Sequence, residues 1–290
     1  MKRILPTVLT VVAIVAALFI AAGWFLFHDQ SLTRLRSEGT IRIGYAVEAP
    51  YAFLKPGGEI TGESPEVAKL IVARLGIGRI EWQQSEFGSL IAGLESGRFD
   101  VIAAGMFISP ERARRINFSE PSFHVQEALL VPKGNPRRLH SFAQALPPAD
   151  VKIAVLAGSV EESLLLRLGL PDRQLVRVPD ALTGRVAVES GTADGLALSS
   201  PTIRWMAMRE QLGKTEMAEP FEQSELAQKE RLGFGAFVFR KRDGQLQTAW
   251  NVELKKFIGS AEHQKLIAEF GFTPNELPGS ITTWKILSTP

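Results

Sequence analysis

The sequence contains no cysteine. Disulfides, thiolate catalysis, Cys-ligated zinc and a lipid-modified Cys are thereby excluded. Histidine is scarce as well: His28, His124, His140 and His263 are the four present, and none forms an HExxH or similar ligand pair. No metal and no other cofactor is expected. An excess of one charge is also missing. Lys2 and Arg3 account for the formal net charge of +2, and the remainder is balanced. Without a basic stripe, nucleic acid is not an expected partner. What is present is 45% apolar and 22% charged, the composition of a packed globular body. A chain of 290 residues suits one large domain or two modest lobes.

One long apolar run stands out. Lys2 and Arg3 precede an uncharged stretch over residues 4–27. As a helix it would reach roughly 36 Å, enough for a hydrocarbon core of about 30 Å. The two cations favour a cytoplasmic N-terminus and an exported body. Ala21-Ala22-Gly23 is the one plausible cleavage site. Cutting there would leave Trp24-Phe25-Leu26-Phe27 exposed at the new terminus. The expectation is an uncleaved anchor over 1–27 that tethers a periplasmic or extracytoplasmic body to the cytoplasmic membrane. A cleaved signal peptide and a soluble body are the alternative.

Beyond it, strand and helix signals alternate, the pattern of α/β layers. Ser31 to Thr40 reads as a polar helix or a linker, and Ile41 to Ala46 as a strand. Ser64-Pro65-Glu66 reads as a helix start, with Ser as the cap, and Val67, Leu70, Ile71 and Leu75 share one face. Ile80 to Gln83 and Asp100 to Ala104 read as strands, with a helix over Ser89 to Leu94 between them. The second half repeats the plan: a strand at Val151 to Leu156, a capping box Ser159-Val160-Glu161-Glu162, a strand at Leu175 to Val178, and a helix over Ala181 to Glu189. Ser96-Gly97-Arg98-Phe99-Asp100 and Ser190-Gly191-Thr192-Ala193-Asp194 echo one another as a helix stop followed by an Asp before a strand. Leu232 to Arg240 reads as a late strand, followed by helices over Gln245 to Ile258 and Ala261 to Phe270. The tail over 280–290 carries little signal.

The run from Phe107 to Pro121, FISPERARRINFSEP, resembles the signature of the polar-amino-acid-type solute-binding proteins of ABC importers. Glu86 to Leu94, Gly97 to Phe107, Glu127 to Pro136 and Gly233 to Lys241 agree with it, so the resemblance covers about residues 33–278. Within that family the sequence is most similar to the ectoine and hydroxyectoine binders. The resemblance implies a two-lobed periplasmic-binding-protein-like fold of type 2, with two crossover strands and a hinge motion around the ligand. Lobe 1 would span 38–130 and 236–278, and lobe 2 would span 131–235. Residues 28–37 would be a linker and 279–290 a tail. The partners implied are a small zwitterion and ABC permease subunits, with the protein itself a monomer.

Ectoine carries a cyclic amidinium and a carboxylate, and a dry cleft needs an anchor for each charge. Arg112, in the first turn of a helix capped by Ser109, is the carboxylate candidate through its two-pronged guanidinium. Read from the residues alone, it is equally a surface Arg in the cluster with Arg114 and Arg115. The resemblance places Tyr51, Phe87 and Phe107 around the ring, where aromatic faces attract a cation; the bland alternative is core packing. Tyr51 stands where the family resemblance leads one to expect Phe. Glu48 follows the first strand and would pair with the amidinium. Gly158 and Ser159 lie at a helix N-terminus, whose free N–H groups favour an anion. Ser199 and Ser200 follow a strand where many amino-acid binders of the family place an Asp. The expected activity is binding without turnover. The alternatives are another amino acid, proline or a betaine as ligand, a sensing role, or an exported cyclohexadienyl-type dehydratase with Glu48 or Glu161 as general acid.

Overall fold

The computed structural model describes residues 29–146, 149–209 and 211–288. The expected membrane segment lies outside these residues. Among the described residues no helix is long and apolar enough to cross a membrane.

Two five-stranded sheets form two lobes. In the first, Thr40–Tyr45 pairs in parallel with Arg79–Gln84 on one side and with Val101–Ile102 on the other. Val238–Arg240 then runs antiparallel between Val101–Ile102 and Ile116–Phe118. In the second, Ile153–Leu156 pairs in parallel with Leu175–Val178 and Gly195–Ser199. Glu127–Pro132 lies antiparallel between Gly195–Ser199 and Thr215–Met217. Each sheet thus has three parallel strands in the order second, first, third, followed by an antiparallel strand, which comes from late in the chain in the first sheet and directly precedes the three in the second.

The echo read from the sequence has a structural counterpart. Asp100 accepts the backbone N–H of Arg42 at 3.2 Å, and Asp194 accepts that of Lys152 at 2.9 Å. Each carboxylate thereby fixes the first strand of its own lobe. Asp100 is buried and paired with Arg42 and Arg240. Asp194 is paired with Arg137.

The chain leaves the first sheet after Phe118 and enters the second at Glu127. Glu127–Pro132 belongs wholly to the second sheet, so the crossing precedes the expected boundary at 130. Phe123–His124 pairs antiparallel with Phe234–Gly235, and these two segments cross between the lobes. The expected single late strand is therefore split, Phe234–Gly235 pairing with the other crossing segment and Val238–Arg240 joining the first sheet.

The polar stretch from Ser31 to Thr40, expected as a helix or a linker, forms the helix Ser31–Glu38. Its Leu35 is fully buried, and Ser31 Oγ accepts the N–H of Leu246. The polar outer face dominates the sequence there and masks the single apolar anchor. The helix Gly244–Phe257 brings Trp250, Leu254 and Phe257 into the first lobe's core. In the tail, Thr282 caps the helix Thr283–Leu287, which buries Ile286 against the same lobe.

Candidate functional site

The strands' C-terminal ends, and the helices that follow them, face each other across the cleft between the lobes. The lobes enclose a cavity of about 20 Å³, room for about one water. Seven of the eight residues singled out in the sequence line it: Glu48, Tyr51, Phe87, Phe107, Arg112, Ser159 and Ser199. Gly158, the eighth, touches it through Arg112.

Ser109 and Pro110 start the helix Pro110–Ala113 as anticipated, with Ser109 Oγ accepting the N–H of Arg112. The Arg112 side chain is buried. It donates to the Phe107 carbonyl and to the Gly158 carbonyl, each at 2.8 Å. Its guanidinium lies 5.5 Å from the centre of the Phe87 ring. Burial lowers its pKa to about 10, while the negative charges of Glu161 and Glu111 oppose the shift through space. It therefore stays cationic at neutral pH, held by carbonyls and a ring face.

Gly158 and Ser159 begin the helix Val160–Arg167, but their N–H groups are engaged. Gly158 N–H donates to Glu162 Oε2 at 2.7 Å, and Ser159 N–H to the Leu156 carbonyl at 3.0 Å. The capping geometry that starts the helix consumes the donors that were expected to meet an anion. What these residues offer is the Gly158 carbonyl, which meets Arg112, and the Ser159 hydroxyl. The lobes touch here backbone to backbone. Gly158 has φ +77°, and a Cβ on it would fall 2.9 Å from the Cα of Gly88.

Across the cavity, a chain of hydroxyls links the lobes. Tyr51 Oη and Ser199 Oγ are 2.7 Å apart, Ser199 Oγ and Thr202 Oγ1 are 3.2 Å apart, and Thr202 donates to Glu48 Oε1 at 2.9 Å. Tyr51 is almost fully buried, packed edge-on against Phe107 and tilted against Phe123. Its ring occupies the space a side chain on Gly105 would need. Burial pushes the Tyr51 hydroxyl well above its usual value, helped by the charge of Glu48. Burial also pushes the Glu48 carboxyl up to about 8, helped by the charge of Glu161 and opposed by the Thr202 hydroxyl. At neutral pH Glu48 holds its proton. A cation placed against it would draw it to the carboxylate.

Two acids and one hydroxyl complete the site. Glu161 is buried in the first helical turn after Ser159 and lines the cavity. Glu127 is buried at the start of its strand, with its carboxyl against that of Glu161. Burial pushes its carboxyl well above the usual range, and the charges of Glu161 and Glu48 add to that. Glu161 was legible only as part of a capping box and a candidate acid. Its spacing of three and four from the buried Leu164 and Leu165 puts it on their inward face. Glu127 offered the weaker signal of a lone acid leading a buried strand. Thr202 offered none. The cleft therefore holds one guanidinium, two cavity-lining carboxyls, Glu48 and Glu161, and the rings of Tyr51, Phe87 and Phe107 on a common wall.

The profile of the bacterial extracellular solute-binding proteins, family 3, matches residues 41–273. A probable amino-acid ABC transporter periplasmic-binding protein of Sinorhizobium fredii is 34% identical over 268 residues, which are 92% of this chain and 87% of that one. The crystal structure of EhuB in complex with hydroxyectoine superposes with a TM-score of 0.82 at 32% identity, covering 91% of this chain and 100% of that one. An ancestral amino acid-binding protein, AncCDT-1, a precursor of cyclohexadienyl dehydratase, superposes at 0.72 with 26% identity, covering 83% of this chain and 99% of that one.

Proposed function

The chain belongs to family 3 of the bacterial extracellular solute-binding proteins, and on that premise we propose that it captures ectoine or hydroxyectoine between its lobes and, as a monomer, delivers it to an ABC permease. The observation that carries this reading is the buried Arg112 guanidinium, held by two carbonyls and facing a cleft with Glu48 and Glu161 on its wall. A carboxylate at Arg112 gains two parallel, charge-assisted hydrogen bonds. An amidinium ring set between Phe107 and Tyr51 would place its N–H groups toward Glu48 and Glu161. Those acids are acceptors that a quaternary ammonium cannot satisfy, which favours an N–H-bearing cation over glycine betaine. The likeness to the hydroxyectoine-bound EhuB supports the same choice.

Calorimetry on residues 29–290 with hydroxyectoine, ectoine, glycine betaine and arginine tests the reading. Saturable heat with the first two is expected, and Arg112→Ala should weaken it by a hundredfold or more, the roughly 3 kcal/mol of a buried charge-assisted pair. Heat only with arginine or betaine would reassign the ligand. One observation favours a second reading: protonated Glu48 has the state a general acid needs. We read the cleft as non-catalytic, and product formed from prephenate or arogenate, seen by mass spectrometry, would overturn that. For residues 1–27 we retain the tether. The full-length chain should stay in the membrane pellet after carbonate extraction; release of a shortened chain would show cleavage instead.

A further inference from the structure

The helix Ser200–Met208 belongs to the second lobe, and one face of it lies on the first. Thr202, Trp205 and Arg209 follow at spacings of three and four, so they share that face. Thr202 meets Glu48 within the cleft. Trp205, one turn further on, is not on the wall of the small cavity beside Arg112; with Glu48, Phe53 and Phe270 it lines the larger opening of about 1170 Å³ between the lobes. Its indole is buried, 6% exposed, against two rings of the opposite lobe. Phe53 lies 5.1 Å from it and Phe270 6.4 Å, centre to centre, and those two rings are 6.2 Å apart in a T-shaped pair. Arg209 covers the indole with its guanidinium 4.6 Å from the ring centre. From the same helix, Arg204 pairs with Glu276 of the first lobe at 2.6 Å.

The apolar cluster around these rings draws Val160 and Trp205 from the second lobe and its other members from the first. Separating the lobes would put the indole and both phenyl faces into water. Trp205 is not on the wall of the small cavity beside Arg112, so this cost is separate from any contact a solute makes there. We propose that Trp205 is a closure latch: a positioning residue that raises solute affinity by holding the lobes together, seated between Phe53 and Phe270. Solute competes against opening, so apparent affinity scales with the fraction of molecules able to close. The latch raises that fraction before solute arrives and slows its escape afterwards.

The absence of native cysteine makes a distance measurement on the full chain direct. Gly57→Cys on the first lobe and Arg173→Cys on the second are exposed positions for paired spin labels, and a side chain on Gly57 meets nothing within 4 Å. In detergent without solute, the wild-type chain is expected to show mainly the short interlobe distance. Trp205→Ala and Phe53→Ala should both shift the distribution to longer distances, and Trp205→Phe should keep most of the short one. With hydroxyectoine, Trp205→Ala should bind about tenfold more weakly, with faster dissociation.

Unchanged distances in both alanine variants would overturn the latch, as would a solute-free wild type already as open as they are. A shift in Trp205→Ala without one in Phe53→Ala would overturn the pairing across the lobes. If circular dichroism shows Trp205→Ala unfolded, Phe53→Ala and Trp205→Phe decide the matter alone. The affinity arm rests on the ligand reading above. The distance arm needs no solute, so failure of that reading and failure of the latch give different results.

Discussion

At the scale of single residues, the cleft is defined as much by missing side chains as by present ones. Gly158 and Gly88 let the two lobes approach backbone to backbone, and a Cβ on Gly158 would meet Gly88 at 2.9 Å. Gly158→Ala should therefore act in two ways. The left-handed φ of +77° costs about 1–2 kcal/mol for any residue with a Cβ, which lowers the thermal midpoint by a few degrees. The clash adds a specific penalty to the closed state. Gly191→Ala is the control: its φ is +73°, yet nothing lies within 4 Å of the added Cβ. Both variants should lose similar thermal stability, while Gly158→Ala alone should lose tenfold or more in hydroxyectoine affinity by calorimetry. Equal affinities in the two would show that the lobes need not meet at this point.

At the scale of elements, the sequence was most legible where one local rule decided the outcome. The strands Thr40–Tyr45, Arg79–Gln84 and Leu175–Val178, and the helices Ala181–Glu189 and Gly244–Phe257, fall where hydrophobic spacing and caps placed them. Local rules failed where a distant segment took over. Ser64 was read as the cap of its helix, but the helix starts at Glu63 with Gly62 as its N-cap. The backbone of Tyr51 passes so close that a Cβ on Gly62 would lie 2.4 Å from its carbonyl oxygen, a contact no local pattern records. Ser64 Oγ donates instead to Glu63 at 2.7 Å and accepts the N–H of Gly105 at 3.1 Å. The same limit applies to the site. The family runs led to Arg112, Phe87 and Phe107, and the end of the first strand led to Glu48. Neither led to Thr202 or Glu127, whose place in the cleft depends on how two lobes meet. Nor did either reveal that Glu162 Oε2 and the Leu156 carbonyl take up the N–H groups at 158 and 159, since a cap motif and an anion site read alike until the partner atoms are known.

At the scale of the whole molecule, the two lobes differ in how the chain builds them. Residues 127–232 supply every strand of the second sheet and both clusters packed on its faces. The first lobe is discontinuous. Val238–Arg240 fills the position between Val101–Ile102 and Ile116–Phe118, so without it the sheet has a gap and not merely a lost edge. The same late segment contributes Phe237, Phe239, Trp250, Leu254 and Phe257 to the core, and Arg240 to the buried Asp100. A fragment of residues 127–232 should therefore fold alone, with cooperative urea unfolding and a stability of about 5 kcal/mol or more, as expected for roughly 100 residues with an intact core. A fragment of residues 29–126 should show no cooperative transition. It leaves Asp100 with Arg34 and Arg42 but without Arg240, its most buried partner, in addition to the exposed core. Adding residues 233–288 in equal amount should restore a cooperative transition, because the missing strand and helix can dock from outside. Independent folding of 29–126, or failure of 127–232 to fold, would mean that the interlobe cluster around Trp205 and Phe270 carries stability that the separate sheets lack.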